Sequence, residues 1–255
     1  MYIAPQSAIG QLLHRLTVRR WRRVEAAADT TPLPRLAQQK RLADRLMRPL
    51  RRFGAVADLR LAAPITEPAP PTGTDWAWRP RPWRERQLPV GLAPAKNAQT
   101  FSPDIAVFHD CNAAQVTLRQ IRNSQAAATA PFGLMLDVLE FTGSFLSLVV
   151  EVPPRASEGL QKRHIIRLAA DVHSDSGAVL NARLNLRNGP NVEQIMRPFS
   201  VNAGLTDVGF DLAYTQLNEK RASGMWIDLL IADPAMRDIH IRDLSVVRYP
   251  RADVG

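Results

Sequence analysis

Cysteine occurs once in the 255 residues, at Cys111. No intrachain disulfide can form, and a cytoplasmic or otherwise reducing setting is expected. Long apolar runs are missing as well: nothing approaches the ~20 consecutive apolar residues that a bilayer-spanning helix requires. The opening "MYIAPQSAIGQLLHRL" has neither a basic start nor an apolar stretch long enough for a secretory signal. The chain therefore reads as soluble, with no transmembrane segment. Catalytic signatures are absent too. There is no G-x-S-x-G elbow, no H-E-x-x-H pair, no phosphate-binding G-x-x-x-x-G-K-[ST] loop and no C-x-x-C pair. The expectation is a protein that is not an enzyme and holds no cofactor and no metal.

What is present begins with charge. The formal net charge is +9 at pH 7. Residues 1–60 hold 13 Lys+Arg against 4 Asp+Glu, whereas residues 61–255 hold 20 of each. The excess sits in the first quarter, the pattern of a basic arm on an electrically balanced domain. Two helices are expected there. Ile9, Leu12, Leu13 and Leu16 form an apolar stripe that Arg20 and Arg23 then interrupt. In the second, Leu42, Leu46, Leu50 and Phe53 share a face, with Arg41, Arg45, Arg48 and Arg52 roughly opposite. "DTTPLP", residues 29–34, should separate the helices, and Pro49 should kink or end the second. Through residues 1–60 such an arm suits an acidic protein partner or an anionic membrane surface. Specific nucleic-acid binding is disfavoured, because only Trp21 is interleaved with the arginines and no helix-turn-helix or finger signature is present.

Residues 61–104 are dominated by proline, which disfavours helix interiors and central strands, so an extended wrapping segment is expected. Within it "GTDWAWRPRPW" places Trp76, Trp78 and Trp83 close together. Trp76 and Trp78 would point to the same side of an extended segment. They are either a platform for a ligand or a strap across a sheet; the surrounding prolines favour the strap, since they lower the entropy cost of fixing it.

From residue 105 the period changes to two. Candidate strands are Ile105–His109, Gln115–Ile121, Gly133–Phe141, Phe145–Val152, His164–Val172, Val179–Arg187, Gln194–Val201, Val208–Tyr214, Met225–Ile231 and Ile239–Arg248. Ten short strands without intervening helical patterns predict an all-β sandwich over residues 105–255. In "VLNARLNLR", Leu180, Ala182, Leu184 and Leu186 point inward, and Asn181, Arg183, Asn185 and Arg187 outward. Met225, Ile227, Leu229 and Ile231 face the core, with Trp226 and Asp228 outside. In "DVGFDLAYT" the alternation buries Val208, Phe210, Leu212 and Tyr214 and exposes Asp211.

The stretches "GTDWAWRP", "FHDC", "APFGLMLDV", "GSFLSLVVEVP", "ARLNLRNGPNVEQI", "FDLAYTQLNEKR" and "MWIDLLIADPAMRDIHIRDLSVVRYPRA" together resemble a bacterial family known only as a domain of unknown function, over about residues 70–253. The resemblance implies no catalytic residues. More loosely, the opening "GSFLSLVVEVP" and closing "IHIRDLSVVRYP" look like the ends of jelly-roll domains of the galactose-binding or carbohydrate-binding type. The fold class expected is thus mainly β, a jelly-roll-like antiparallel sandwich preceded by a basic helical arm.

The candidate ligand-binding set is Arg183, Asn185, Arg187, Asp211, Trp226 and Asp228. An aromatic ring can stack on the apolar face of a sugar, while Arg, Asn and Asp bond its hydroxyls. The alternative is a solvated sheet surface laced with cross-strand Arg–Asp pairs. Two other clusters read as structural: His109 and Cys111 in "HDC" lack an orienting third group, and Asp171, His173 and Asp175 lack the remainder of a Ca²⁺ loop. "LNEKR", Leu217–Arg221, reads as an exposed loop. The function expected is a non-enzymatic binding module with a glycan as ligand. The alternative is an adaptor docking through the basic arm.

Overall fold

A computed structural model of the chain describes residues 8–61, 70–123 and 129–251. The start of the basic arm and the "APITEPA" portion of the wrapping segment lie outside the described residues. The chain divides into two compact units, residues 1–55 and 56–255.

The first unit is helical. Helix α1 (Ala8–Ala26) leads through a 3₁₀ turn, Ala28–Thr30, into α2 (Leu33–Leu61). The break falls within "DTTPLP", where the Thr31 hydroxyl donates to the Ala27 carbonyl at 2.7 Å. Pro34 then occupies the first turn of α2, where a missing N–H costs nothing. Pro49 neither ends nor interrupts α2, which runs on to Leu61. Proline removes one backbone donor and frees the carbonyl of Arg45; both residues are exposed, so water can take the bond.

The second unit is a sandwich. Its strands are β1 (Trp76–Trp78), β2 (Gly91–Leu92), β3 (Gln99–Ser102), β4 (Ile105–His109), β5 (Val116–Arg122), β6 (Phe132–Val138), β7 (Leu146–Val152), β8 (His164–His173), β9 (Val179–Asn188), β10 (Asn191–Phe199), β11 (Leu205–Asp211), β12 (Ala222–Ala232) and β13 (Arg237–Pro250). One sheet runs β11-β8-β13-β6-β5-β2, with β1 beside β13; the other runs β10-β9-β12-β7-β4-β3. Every recorded pairing is antiparallel. The chain is therefore mainly β, a jelly-roll-like antiparallel sandwich with an N-terminal helical part.

Period-two alternation builds the interior. Leu180, Ala182, Leu184 and Leu186 of β9 and Met225, Ile227, Leu229 and Ile231 of β12 are buried, as are Ile166, Leu168, Ala170 and Val172 of β8 in the facing sheet. They belong to one apolar cluster. At about 25 cal/mol per Å² of apolar surface removed from water, such a cluster is the main stabilising term.

The Pro- and Trp-rich segment is woven into this sandwich. Three short strands come from it, β1 to β3, and prolines flank them without interrupting a central strand. Trp83, on the short helix α3 (Arg81–Arg84), is completely buried, and its indole N–H donates to the Ile241 carbonyl at 3.0 Å. Trp76 and Trp78 stack with ring centroids 6.2 Å apart and pack against the core. Arg79, also buried, pairs with buried Asp243, Nε to Oδ1 at 2.9 Å. Arg248 ties the segment down: it donates to both Asp75 oxygens at 2.9 and 3.1 Å, and to the carbonyls of Ala156 and Glu158 at 2.8 and 2.7 Å. Trp83 is thus anchored in the core, while Trp76 and Trp78 are partly buried against it.

Two details depart from the alternation. After Asp211 the chain leaves β11 for a 3₁₀ turn, Leu212–Tyr214, which the Asp211 carboxylate caps by accepting the Ala213 amide at 3.0 Å. The turn breaks the two-residue period, so Tyr214 is 77% exposed instead of buried. Leu217 is buried, so only the polar remainder of "LNEKR" is a surface loop.

Candidate functional site

On the outer face of the six-stranded sheet, cross-strand register sets side chains in rows. Asn185 of β9 lies beside Trp226 of β12, which lies beside Glu151 of β7. One step along, Arg183 lies beside Asp228 and then Val149. The next row joins Asn181, Leu230, Ser147 and Phe108. Because residues two apart share a face, these rows form one continuous surface.

The surface is grooved. A hollow of about 360 Å³ is bordered by Phe108, Phe145, Ser147, Glu151, Arg183, Asn185, Arg187, Gln194, Trp226 and Asp228. A second, of about 490 Å³, adjoins it; the two share Glu151, Arg187 and Trp226, so Trp226 stands between them. Both volumes fall in the range of small-molecule sites, about 300–1,000 Å³.

The polar groups of the groove divide into two sets. Asp228, Asn185 and Arg183 form a closed network on its floor. One Asp228 oxygen accepts Arg183 Nε at 2.9 Å, Arg183 Nη2 at 2.7 Å and Asn185 Nδ2 at 2.9 Å. Gln194 Nε2 donates to Asn185 Oδ1 at 2.9 Å. Asn185 and Asp228 are buried, so this pairing is what makes their burial tolerable. The second set stands outside that network. Among the described residues the Ser147 hydroxyl, although buried, has no hydrogen-bond partner. Arg187 stacks over Trp226, its guanidinium carbon 5.4 Å from the ring centroid.

The rings at the other end are held from below. Phe108 and Phe145 are 37% and 42% exposed. Phe145 is fixed through its backbone: the Asp110 carboxylate accepts its amide at 3.1 Å and the Ser144 amide at 2.7 Å. A bond from the Ser144 hydroxyl, with those from the Ser144 and Phe145 amides, draws the Asp110 carboxyl down to about 2. Gly143 makes this possible, because a Cβ there would collide with Asp110 Oδ1.

Five of the six residues expected from sequence thus meet on one face: Arg183, Asn185, Arg187, Trp226 and Asp228. Asp211 does not. It lies on β11 of the opposite sheet, where it caps the following turn and stands 3.6 Å from Arg251. Alternation tells which way a side chain points but not which sheet its strand joins. Sequence reasoning missed Phe108, Phe145, Ser147, Glu151 and Gln194. Their alternation was visible, but their gathering depends on β4, β7 and β10 flanking β9 and β12. Trp76, Trp78 and Trp83 take no part in lining either hollow of this groove.

The remaining candidate clusters make contacts within the sandwich. His109 is buried with Nε2 3.2 Å from the Ala95 carbonyl, while the Cys111 sulfur accepts the Thr142 amide at 3.3 Å; neither bonds the other. His173 lies 3.1 Å from Asp175, but no group of three or more metal-binding side chains occurs among the described residues. No helix among them is long and apolar enough to cross a membrane.

Among solved structures, the enzymatically active domain of bacteriophage CBA120 tailspike protein 4 is similar at 7% identity, over 57% of this chain and 19% of that one, with a TM-score of 0.41. This chain spans about a fifth of that protein's length. The family 11 carbohydrate-binding module of the cellulosomal cellulase Lic26A-Cel5E of Clostridium thermocellum is 8% identical over 64% of this chain and 98% of that one, with a TM-score of 0.40. The xylan-binding domain from CBM 22 is 10% identical over 72% and 100%, with a TM-score of 0.37. No curated protein matches the sequence. The family model described as "Family of unknown function (DUF6478)" matches residues 1–254, and the chain belongs to that family.

Proposed function

We propose that this chain is a non-enzymatic binding module that takes a carbohydrate in the groove of the six-stranded sheet. The observation that carries the reading is the combination of rings and charged groups in one groove: Trp226, Phe108 and Phe145 beside Glu151 and Arg187. A sugar offers apolar C–H faces to rings and hydroxyls to charged or polar groups at its edge, so it matches both. Arg183, Asn185 and Asp228 would then shape the floor, with Arg187 and Trp226 meeting the ligand directly. The single cysteine fits a reducing, cytoplasmic setting. The ligand would in that case be an intracellular polysaccharide or its precursor.

The test is a glycan-array screen of the full-length protein beside Trp226→Ala and Phe145→Ala. Selective retention that both variants lose supports the reading. A blank array, or retention indifferent to both substitutions, removes the groove from consideration as a glycan site.

A further inference from the structure

Among the described residues, helix α2 leaves an apolar face uncovered. At about 100° per residue, Leu36, Leu42, Leu46, Met47, Leu50 and Phe53 fall within an arc of about 140°. Four of them, Leu42, Leu46, Leu50 and Phe53, are 40%, 46%, 62% and 72% exposed. Lys40, Arg41, Arg45, Arg48, Arg51 and Arg52 occupy the opposite side. Between Leu33 and Gly54 the only acid is Asp44, and Lys40 already pairs with it at 2.8 Å. Isolated exposed leucines need no explanation, but a row of them along one helix face does.

We propose that α2 docks in the plane of an anionic lipid surface, its leucines and Phe53 in the headgroup–acyl boundary and its arginines among the phosphates. Charge complementarity selects this occupant. A second copy of the helix would bring one row of arginines beside another, with a single acid per helix to offset them. The cations of the opposite side are also spread along it from Lys40 to Arg52, which suits a plane of phosphates rather than a localised acidic patch. The helix is too polar to span, so it lies on the surface. This proposal is independent of the groove.

Co-sedimentation of the full-length protein with vesicles tests it, using phosphatidylcholine alone and phosphatidylcholine mixed with phosphatidylglycerol at roughly two to one. Binding should require phosphatidylglycerol and fall steeply with added salt. Leu50→Glu/Phe53→Glu should lower the partition coefficient at least tenfold, and so should Arg41→Gln/Arg45→Gln/Arg48→Gln, with helix content by circular dichroism unchanged in each. Absence of binding to the anionic vesicles overturns the proposal, as does equal binding to neutral ones. A wild-type dimer that Leu50→Glu/Phe53→Glu converts to a monomer in light scattering also overturns it, since a second copy would then cover the face.

Discussion

The Arg187 guanidinium carbon sits 5.4 Å from the centroid of the Trp226 ring. One face of the indole is therefore occupied by a cation, and a sugar must take the other face or displace Arg187. An exposed cation–π contact contributes only about 0.5–1 kcal/mol, so displacement is within reach of a ligand. Trp226→Ala should weaken glycan binding at least tenfold in calorimetry, and Arg187→Ala roughly two- to fivefold. If Arg187→Ala tightens binding instead, the cation is a cover over the ring and not a ligand contact.

Asp228 organises the floor of the groove. Replacing it by Ala leaves the buried Asn185 amide and the Arg183 guanidinium without their common acceptor. The expected loss is about 2–4 kcal/mol of stability, toward the lower end because Arg183 is partly in contact with water. Denaturant unfolding measures it. The double variant Arg183→Met/Asp228→Leu should recover more than half, since it removes the polar groups together; a double variant as unstable as Asp228→Ala would mean that shape, not pairing, is what the floor requires.

Acid should loosen the rim at Phe145. The Asp110 carboxyl is held down to about 2 by the Ser144 hydroxyl and amide and the Phe145 amide. A depressed folded-state value means the interaction is fully present above the ordinary carboxylate range near 4 and is lost as pH falls toward about 2. Protection of the Ser144 and Phe145 amides from hydrogen exchange should fall over that window. Asp110→Ala, which has no acceptor, should show low protection at every pH. Protection unchanged at pH 2 would show that the turn holds without the carboxylate.

The strap should matter according to depth. Trp83→Ala empties a fully buried site and should cost about 3–5 kcal/mol in urea unfolding. Trp83→Phe should cost less, yet it still leaves the Ile241 carbonyl without its indole donor. Trp78→Ala, at a partly exposed ring, should be milder than Trp83→Ala; the reverse order would assign the anchoring to β1 in place of α3.

The ten strands after residue 105 were legible because long runs such as β9 and β12 repeat leucine, isoleucine or alanine at every second position. The three strands β1 to β3 were not, because two to four residues are too few to display a period. Asp211 and Tyr214 failed for different reasons. Tyr214 was lost to a local turn, which an Asp in capping position before "LAY" could have signalled. Asp211 was lost to topology, since no local pattern says that β11 pairs β8 on the far sheet. Pro49 shows propensity overridden, with the helical stripe on both sides outweighing one lost bond.

The placement of the Pro-rich segment has one more consequence, for association between chains. A sheet's outermost strand offers unpaired backbone groups to any neighbouring molecule. Here β2 is two residues long and bracketed by Pro89 and Pro94, and the β3 ladder shifts register between Thr100 and Ser102. At the far borders, β10 carries Arg197 and Pro198, and β11 carries Asp207 and Gly209. None of these is a long, flat, uninterrupted template. Without β2 and β3, the borders would become β5 and β4, "VTLRQIR" and "IAVFH", whose free edges would recruit further strands. The same segment thus supplies the two short border strands that cover the edges of β5 and β4.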